Sequence, residues 1–250
     1  MFLDSLCGDA AWRARYARNV KGESLPWEIH EAGLRSTFPF RVFGLRSMLS
    51  VPYFEKALYE LPEEDVTPAN ILKIADEIEM KIQGGLAARP LMSVPHIISD
   101  EASCYYHGYV LAEMSVYQTR EFFLKKGPIV DNPNVGKTLT KEYWEAGNSV
   151  PFLTLVENLT GTPLTGKAWL SELAEPLEKV IAKEKADYEE AMRTLADAKD
   201  DDSEIDLKMR MIVKDGDTLI ADSKLNGGFL PACNVFADYV KQRFYNVQNN

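Results

Sequence analysis

The chain has 250 residues, a net charge of −10, and 46% apolar and 26% charged residues, enough to bury a core in one or two domains. The acidic balance argues against a nucleic-acid-binding face, which needs a basic surface, and no apolar run reaches the roughly 18 residues of a membrane span. No secretory signal pattern is visible, and Cys7, Cys104 and Cys233 are too scattered for a disulfide framework, so a reducing compartment is expected: the cytoplasm, with an organelle matrix as the alternative.

Phe2, Leu3, Leu6, Trp12 and Tyr16 recur at helical spacing from the second residue and predict one amphipathic helix. Domains usually open with a few loosely held polar residues, so this start suggests a missing upstream segment, with a short natural N-terminus as the alternative. Phe38 to Leu61 reads as a mostly apolar helical region, with Phe40, Phe43, Leu49, Phe54, Ala57 and Leu58 toward a core and Pro52 kinking or dividing it. Thr67 is a cap and Pro68 a first helical residue. Ile71, Ile74, Ala75, Ile78 and Ile82 form the stripe of the helix that follows, and Gly84-Gly85 ends it.

Ala102 to Leu124 is the next long helix, stopped by Gly127-Pro128, and Pro128 to Gly136 is a loop. Two shorter helices follow, one at Lys141–Trp144 and one from Pro151 to Leu159. Thr165 caps a final long helix with a seam of Leu173, Leu177, Val180, Ile181, Tyr188, Met192 and Leu195. Its outer face is rich in lysine and glutamate, which reads as a solvated face. After an acidic loop at Asp200–Glu204, Leu207, Met209, Met211 and Val213 alternate with polar residues, Asp215-Gly216 supplies a hairpin turn, and Asn234 to Phe244 forms a last helix. The expected fold is therefore mainly α: a helical body over 1–197 and a small α+β extension over 198–250.

Chemistry concentrates between Pro95 and Tyr109, where two of the three histidines, His96 and His107, lie with Tyr105, Tyr106 and Tyr109. Tyrosine and imidazole donate hydrogen bonds to an oxygen that gains negative charge. On a helix Tyr106, Tyr109 and Glu113 share a face. The pattern alone fits core tyrosines with satisfied hydroxyls and a core or rim His107 better than a site, while His96 belongs to a loop. His-Glu-x-x-His is absent, and His30-Glu31 has no second histidine one turn on, so no zinc site made wholly from this chain is expected. Cys104 reads as a small packing residue, with a cysteine nucleophile as a weaker alternative. Hydrolase-elbow, phosphate-loop and dinucleotide patterns are absent.

Several blocks together resemble the M3 zinc metallopeptidases, the thimet oligopeptidase and oligoendopeptidase family. They are Phe2-Leu3-Asp4-Ser5-Leu6 with Trp12-Arg13-Ala14-Arg15-Tyr16-Ala17, Pro26-Trp27-Glu28-Ile29, Leu45-Arg46-Ser47-Met48-Leu49, Tyr106-His107-Gly108-Tyr109-Val110-Leu111-Ala112-Glu113, and Gly147-Asn148-Ser149-Val150-Pro151 through Leu159-Thr160-Gly161-Thr162-Pro163-Leu164. They are colinear over about residues 1–175. The resemblance implies the C-terminal helical part of a channel-shaped peptidase that hydrolyses short peptides. It implies Tyr106, Tyr109 and His96 as the catalytic, oxyanion-stabilising and substrate-holding side chains, and His107 and Tyr105 as substrate contacts. Ala102 falls where many members carry another tyrosine. The zinc expected for the complete enzyme would be held by an upstream polypeptide, so this chain alone is expected to be inactive and metal-free. The alternative is a non-catalytic binding protein built on the same helices, with the tail hairpin as its interaction module.

Overall fold

The apolar spacing at the start of the chain is served by two helices, not one. The computed structural model describes residues 2–86, 90–197 and 209–245 and places α1 at Phe2–Leu6 and α2 at Ala10–Tyr16. The break has a local cause: the Asp9 carboxylate accepts from the Trp12 amide at 3.0 Å and starts a new helix, as an N-cap does. The chain divides into two compact units, Met1–Leu195 and Ala196–Asn250.

In the first unit, α3 (Trp27–Thr37) follows Pro26 and buries Trp27, His30 and Leu34, one stripe of a helix. His30 is 1% exposed. Its Nδ1 lies 3.1 Å from Arg13 Nη1. A guanidinium can only donate, so Nδ1 accepts, and Nε2 carries the proton that it gives to Glu184 Oε2 at 3.2 Å. Trp27, Leu34 and Ile181 form a small core with Leu177 and Tyr188 around this net.

After a 3-10 turn at Phe38–Phe40, α4 (Arg41–Tyr59) runs without interruption through Pro52. Its inner face is Ser50, Val51, Phe54 and Glu55. Phe40 is exposed, and Phe43, Leu49, Ala57 and Leu58 are only half-buried, so the core face is narrower than the apolar pattern predicts. Helix α5 (Pro68–Ile78) begins as expected, with Thr67 Oγ1 accepting from the Asn70 amide at 3.3 Å. It passes into a π-turn at Glu79–Gln83 that ends on Gly84 at φ 69°, a left-handed position that suits glycine. The main core lies between α4, α5 and the loop after them: Val51, Phe54, Ala75, Leu91, Val94 and Ile97, flanked by Leu58, Ile71, Ile74, Ile78 and Tyr106.

Helix α6 spans His107–Leu124 and starts five residues later than expected. The Pro128–Gly136 stretch is not all loop, because Asn132 caps α7 (Pro133–Leu139) by accepting from the Asn134 amide. Lys141–Trp144 lies in a π-turn at Thr140–Trp144, and α8 (Phe152–Thr160) ends on left-handed Gly161. Phe123, Ile129, Val135, Leu139 and Leu159 form a second core here. The final long helix is two, α9 (Lys167–Leu173) and α10 (Leu177–Asp197). The missed signal is Pro176, which has no amide proton to continue a helix. Among the described residues no helix is long and apolar enough to cross a membrane.

In the second unit, β1 (Ile212–Asp215) pairs antiparallel with β2 (Thr218–Asp222), with Ile212 opposite Asp222 and Asp215 opposite Thr218. Gly216 makes the turn at φ 57°. Buried Asp222 accepts from Arg210 Nε at 2.9 Å, and this guanidinium holds the carboxyl down to about 2. Helix α11 (Phe229–Val240) begins earlier than the expected Asn234 and leads into a π-turn at Lys241–Tyr245. The acidic run Asp200–Glu204 and Leu207 lie outside the described residues.

Candidate functional site

The five side chains singled out between Pro95 and Tyr109 do not form one cluster. A 3-10 turn at Pro95–Ile98 carries His96. His96 Nε2 lies 3.1 Å from the Tyr109 hydroxyl. The ring meets those of Tyr106 and Tyr109 edge-on at centroid distances of 5.2 Å and 5.6 Å, and the two tyrosine rings are 4.9 Å apart. These spacings suit edge-to-face attraction. Tyr105 and His107 pair with each other instead, at 5.9 Å, and both side chains are exposed.

Tyr106 is half-buried on the main core, whereas Tyr109 is 43% exposed. One tyrosine anchors the cluster and the other presents a hydroxyl outward. His96 Nδ1 is buried without a hydrogen-bond partner. An orphaned buried N–H costs more than an orphaned lone pair, so the proton belongs on Nε2. That N–H then donates to the Tyr109 oxygen, and the Tyr109 hydroxyl proton stays free to donate elsewhere.

His107 lines a different surface, a groove of about 510 Å³ with Leu49, Tyr53, Tyr59, Cys104 and Leu111. Cys104 is not a helical packing residue: it is exposed, lies before α6, and has φ 56°. Partial desolvation of the thiol, together with the Glu55 and Glu60 charges, pushes it up, opposite to what a thiolate nucleophile needs. Glu113, expected on the tyrosine face, lines a third cleft of about 500 Å³ with Arg41, Tyr117 and Arg120, and burial raises its carboxyl.

The residue that sequence reasoning missed is Glu55. It is 2% exposed, and its two carboxylate oxygens accept from the Cys104 amide at 3.1 Å and the Tyr106 amide at 3.2 Å. This contact explains the late start of α6: the N–H groups of Cys104 and Tyr106 are taken by a partner about 50 residues away instead of by a helical turn. A glutamate inside an apolar helical stretch was the available signal.

Among the described residues no group of three histidine, cysteine, aspartate or glutamate side chains could hold a metal ion. No protein family matches the chain, and neither a curated protein nor a solved structure matches it.

Proposed function

We propose that this chain supplies the substrate-facing donor wall of a peptide hydrolase of the M3 zinc oligopeptidase type, with the metal carried by an upstream polypeptide. The observation that carries the reading is the His96 Nε2–Tyr109 hydroxyl contact of 3.1 Å beside a buried, unpartnered Nδ1. His96 holds the Tyr109 oxygen from one side, and the Tyr109 O–H points its proton at a peptide carbonyl. As that carbonyl becomes tetrahedral, the oxygen gains charge and the same hydrogen bond strengthens. Tyr106 stiffens the pair from the core side. His107 and Tyr105 meet the peptide further along.

The chain is tested directly with a mixed-sequence octapeptide titrated onto isotopically labelled protein. Ring resonances of His96 and Tyr109 should shift together, and Tyr109→Phe should weaken binding about tenfold, the loss of one well-placed hydrogen bond. A peptide that binds without moving either ring, or does not bind at all, overturns the reading. With the upstream polypeptide added, Tyr109→Phe should slow hydrolysis about 100- to 1,000-fold.

A second reading, a non-catalytic binding protein, draws on the exposed Leu230, Val235 and Phe236 of α11. Peptide binding that never leads to cleavage, even with the upstream polypeptide present, favours it.

A further inference from the structure

Two residues of α4 grip both ends of the loop that carries the cluster. Glu55 and Tyr59 are one helical turn apart and so face the same way. Glu55 takes the amides of Cys104 and Tyr106. Tyr59 donates its hydroxyl to the carbonyl of Ile97 at 2.8 Å, next in sequence to His96. Ser103 Oγ bonds the same carbonyl at 3.2 Å and Ser99 O at 2.7 Å, which closes the loop on itself between the two grips.

The grip at Glu55 is more than a tether. Tyr106 is the N-cap residue of α6, and its side chain makes no capping hydrogen bond. Glu55 puts two acceptor oxygens there from another helix, where a helix N-terminus favours negative charge. The Cys104 backbone sits at φ 56°, a left-handed conformation that costs a non-glycine residue free energy and persists only when its surroundings enforce it. The Glu55 contact to the Cys104 amide is that enforcement. If Cys104 relaxed, Tyr106 and Tyr109 would rotate with the first turn of α6, and His96 would lose its partner.

We infer that Glu55, assisted by Tyr59, is the positioning residue of the His96–Tyr106–Tyr109 wall: α4 sets the register between the histidine loop and the tyrosine helix. The functional meaning of the inference rests on the donor-wall reading; its geometry does not. Both residues also border the His107 groove, but the role inferred for them is to hold the backbone of the wall, not to contact substrate.

The test compares Glu55→Gln and Tyr59→Phe in the full chain, with His96 ring-nitrogen shifts and amide hydrogen exchange as readouts. Glutamine keeps the shape but offers one acceptor oxygen, so one amide loses its partner and the amide group faces it with a donor. Exchange at one of the two amides, Cys104 or Tyr106, should quicken about tenfold in Glu55→Gln. The His96 Nε2 resonance should move toward its value in Tyr109→Phe, and Tyr59→Phe should move it the same way by less. A simply structural glutamate would lower the unfolding midpoint and leave the His96 resonance of the folded protein in place. An unmoved resonance in folded Glu55→Gln overturns the inference; if that variant does not fold, an unmoved resonance in Tyr59→Phe does so. None of these readouts uses a peptide, so failure of octapeptide binding removes the donor-wall reading separately.

Discussion

His30 and His96 are the same side chain in opposite circumstances. His30 has both ring nitrogens engaged, by Arg13 and Glu184, with the Trp27 ring 5.4 Å away. His96 has one nitrogen on Tyr109 and one buried with no partner. A closed net ties α2, α3 and α10 together and leaves nothing to offer a ligand. An open net passes its remaining donor outward through Tyr109. The contrast separates a histidine with both ring nitrogens used inside the fold from one with a single nitrogen engaged, and neither sequence spacing nor burial alone makes that distinction.

The contrast can be broken in several ways. The largest effect is expected from His30→Ala, which strands Arg13 and Glu184 and should cost about 3 kcal/mol by urea denaturation; a loss near that of an ordinary surface substitution would refute the closed net. Arg13→Met leaves His30 Nδ1 unpaired, making it resemble His96, and should cost about 1–2 kcal/mol by the same measurement. Burial alone would raise the Glu184 carboxyl, but the hydrogen bond from His30, the nearby Lys183 charge and the Ala10 amide together hold it below its ordinary range. A carboxyl lowered in the folded state stabilises above its unfolded value and stops doing so as pH falls through the folded one. Stability should therefore decline on acidification through and below the glutamate range, and Glu184→Gln should flatten that slope. The smallest effect belongs to Tyr109→Phe, within about 0.5 kcal/mol because the residue is 43% exposed; a large loss would make Tyr109 a structural residue.

Local signals in the sequence located what local forces decide. Thr67-Pro68, the isoleucine stripe behind it and the Asp215-Gly216 turn all stand where caps, periodicity and turn chemistry put them. The errors fall where a distant residue outbids the local pattern. Ala102–Tyr106 has helical periodicity, but Glu55 claims its amides. The Lys/Glu-rich face of α10 reads as solvated, yet Glu184 turns inward to His30. Tyr106 and Tyr109 were legible as a pair because they are three residues apart; that His96 would join them, and that Tyr105 and His107 would not, depended on the path of the Pro95–Cys104 loop. Three misses were local and could have been read: Asp9 opens α2, Asn132-Pro133 opens α7, and Pro176 separates α9 from α10.

The Glu184 oxygen that meets His30 also accepts from the backbone amide of Ala10 at 3.1 Å, 174 residues earlier in the chain. Tyr188 likewise reaches back to the carbonyl of Leu25. During synthesis at roughly 5–20 residues per second, the second helix waits on the order of 10–35 s for the residue that completes its first turn. Until α10 leaves the ribosome, Trp27 and Leu34 lack the cover that Leu177, Ile181 and Tyr188 later give them, so the α2–α3 segment carries exposed apolar surface for that interval.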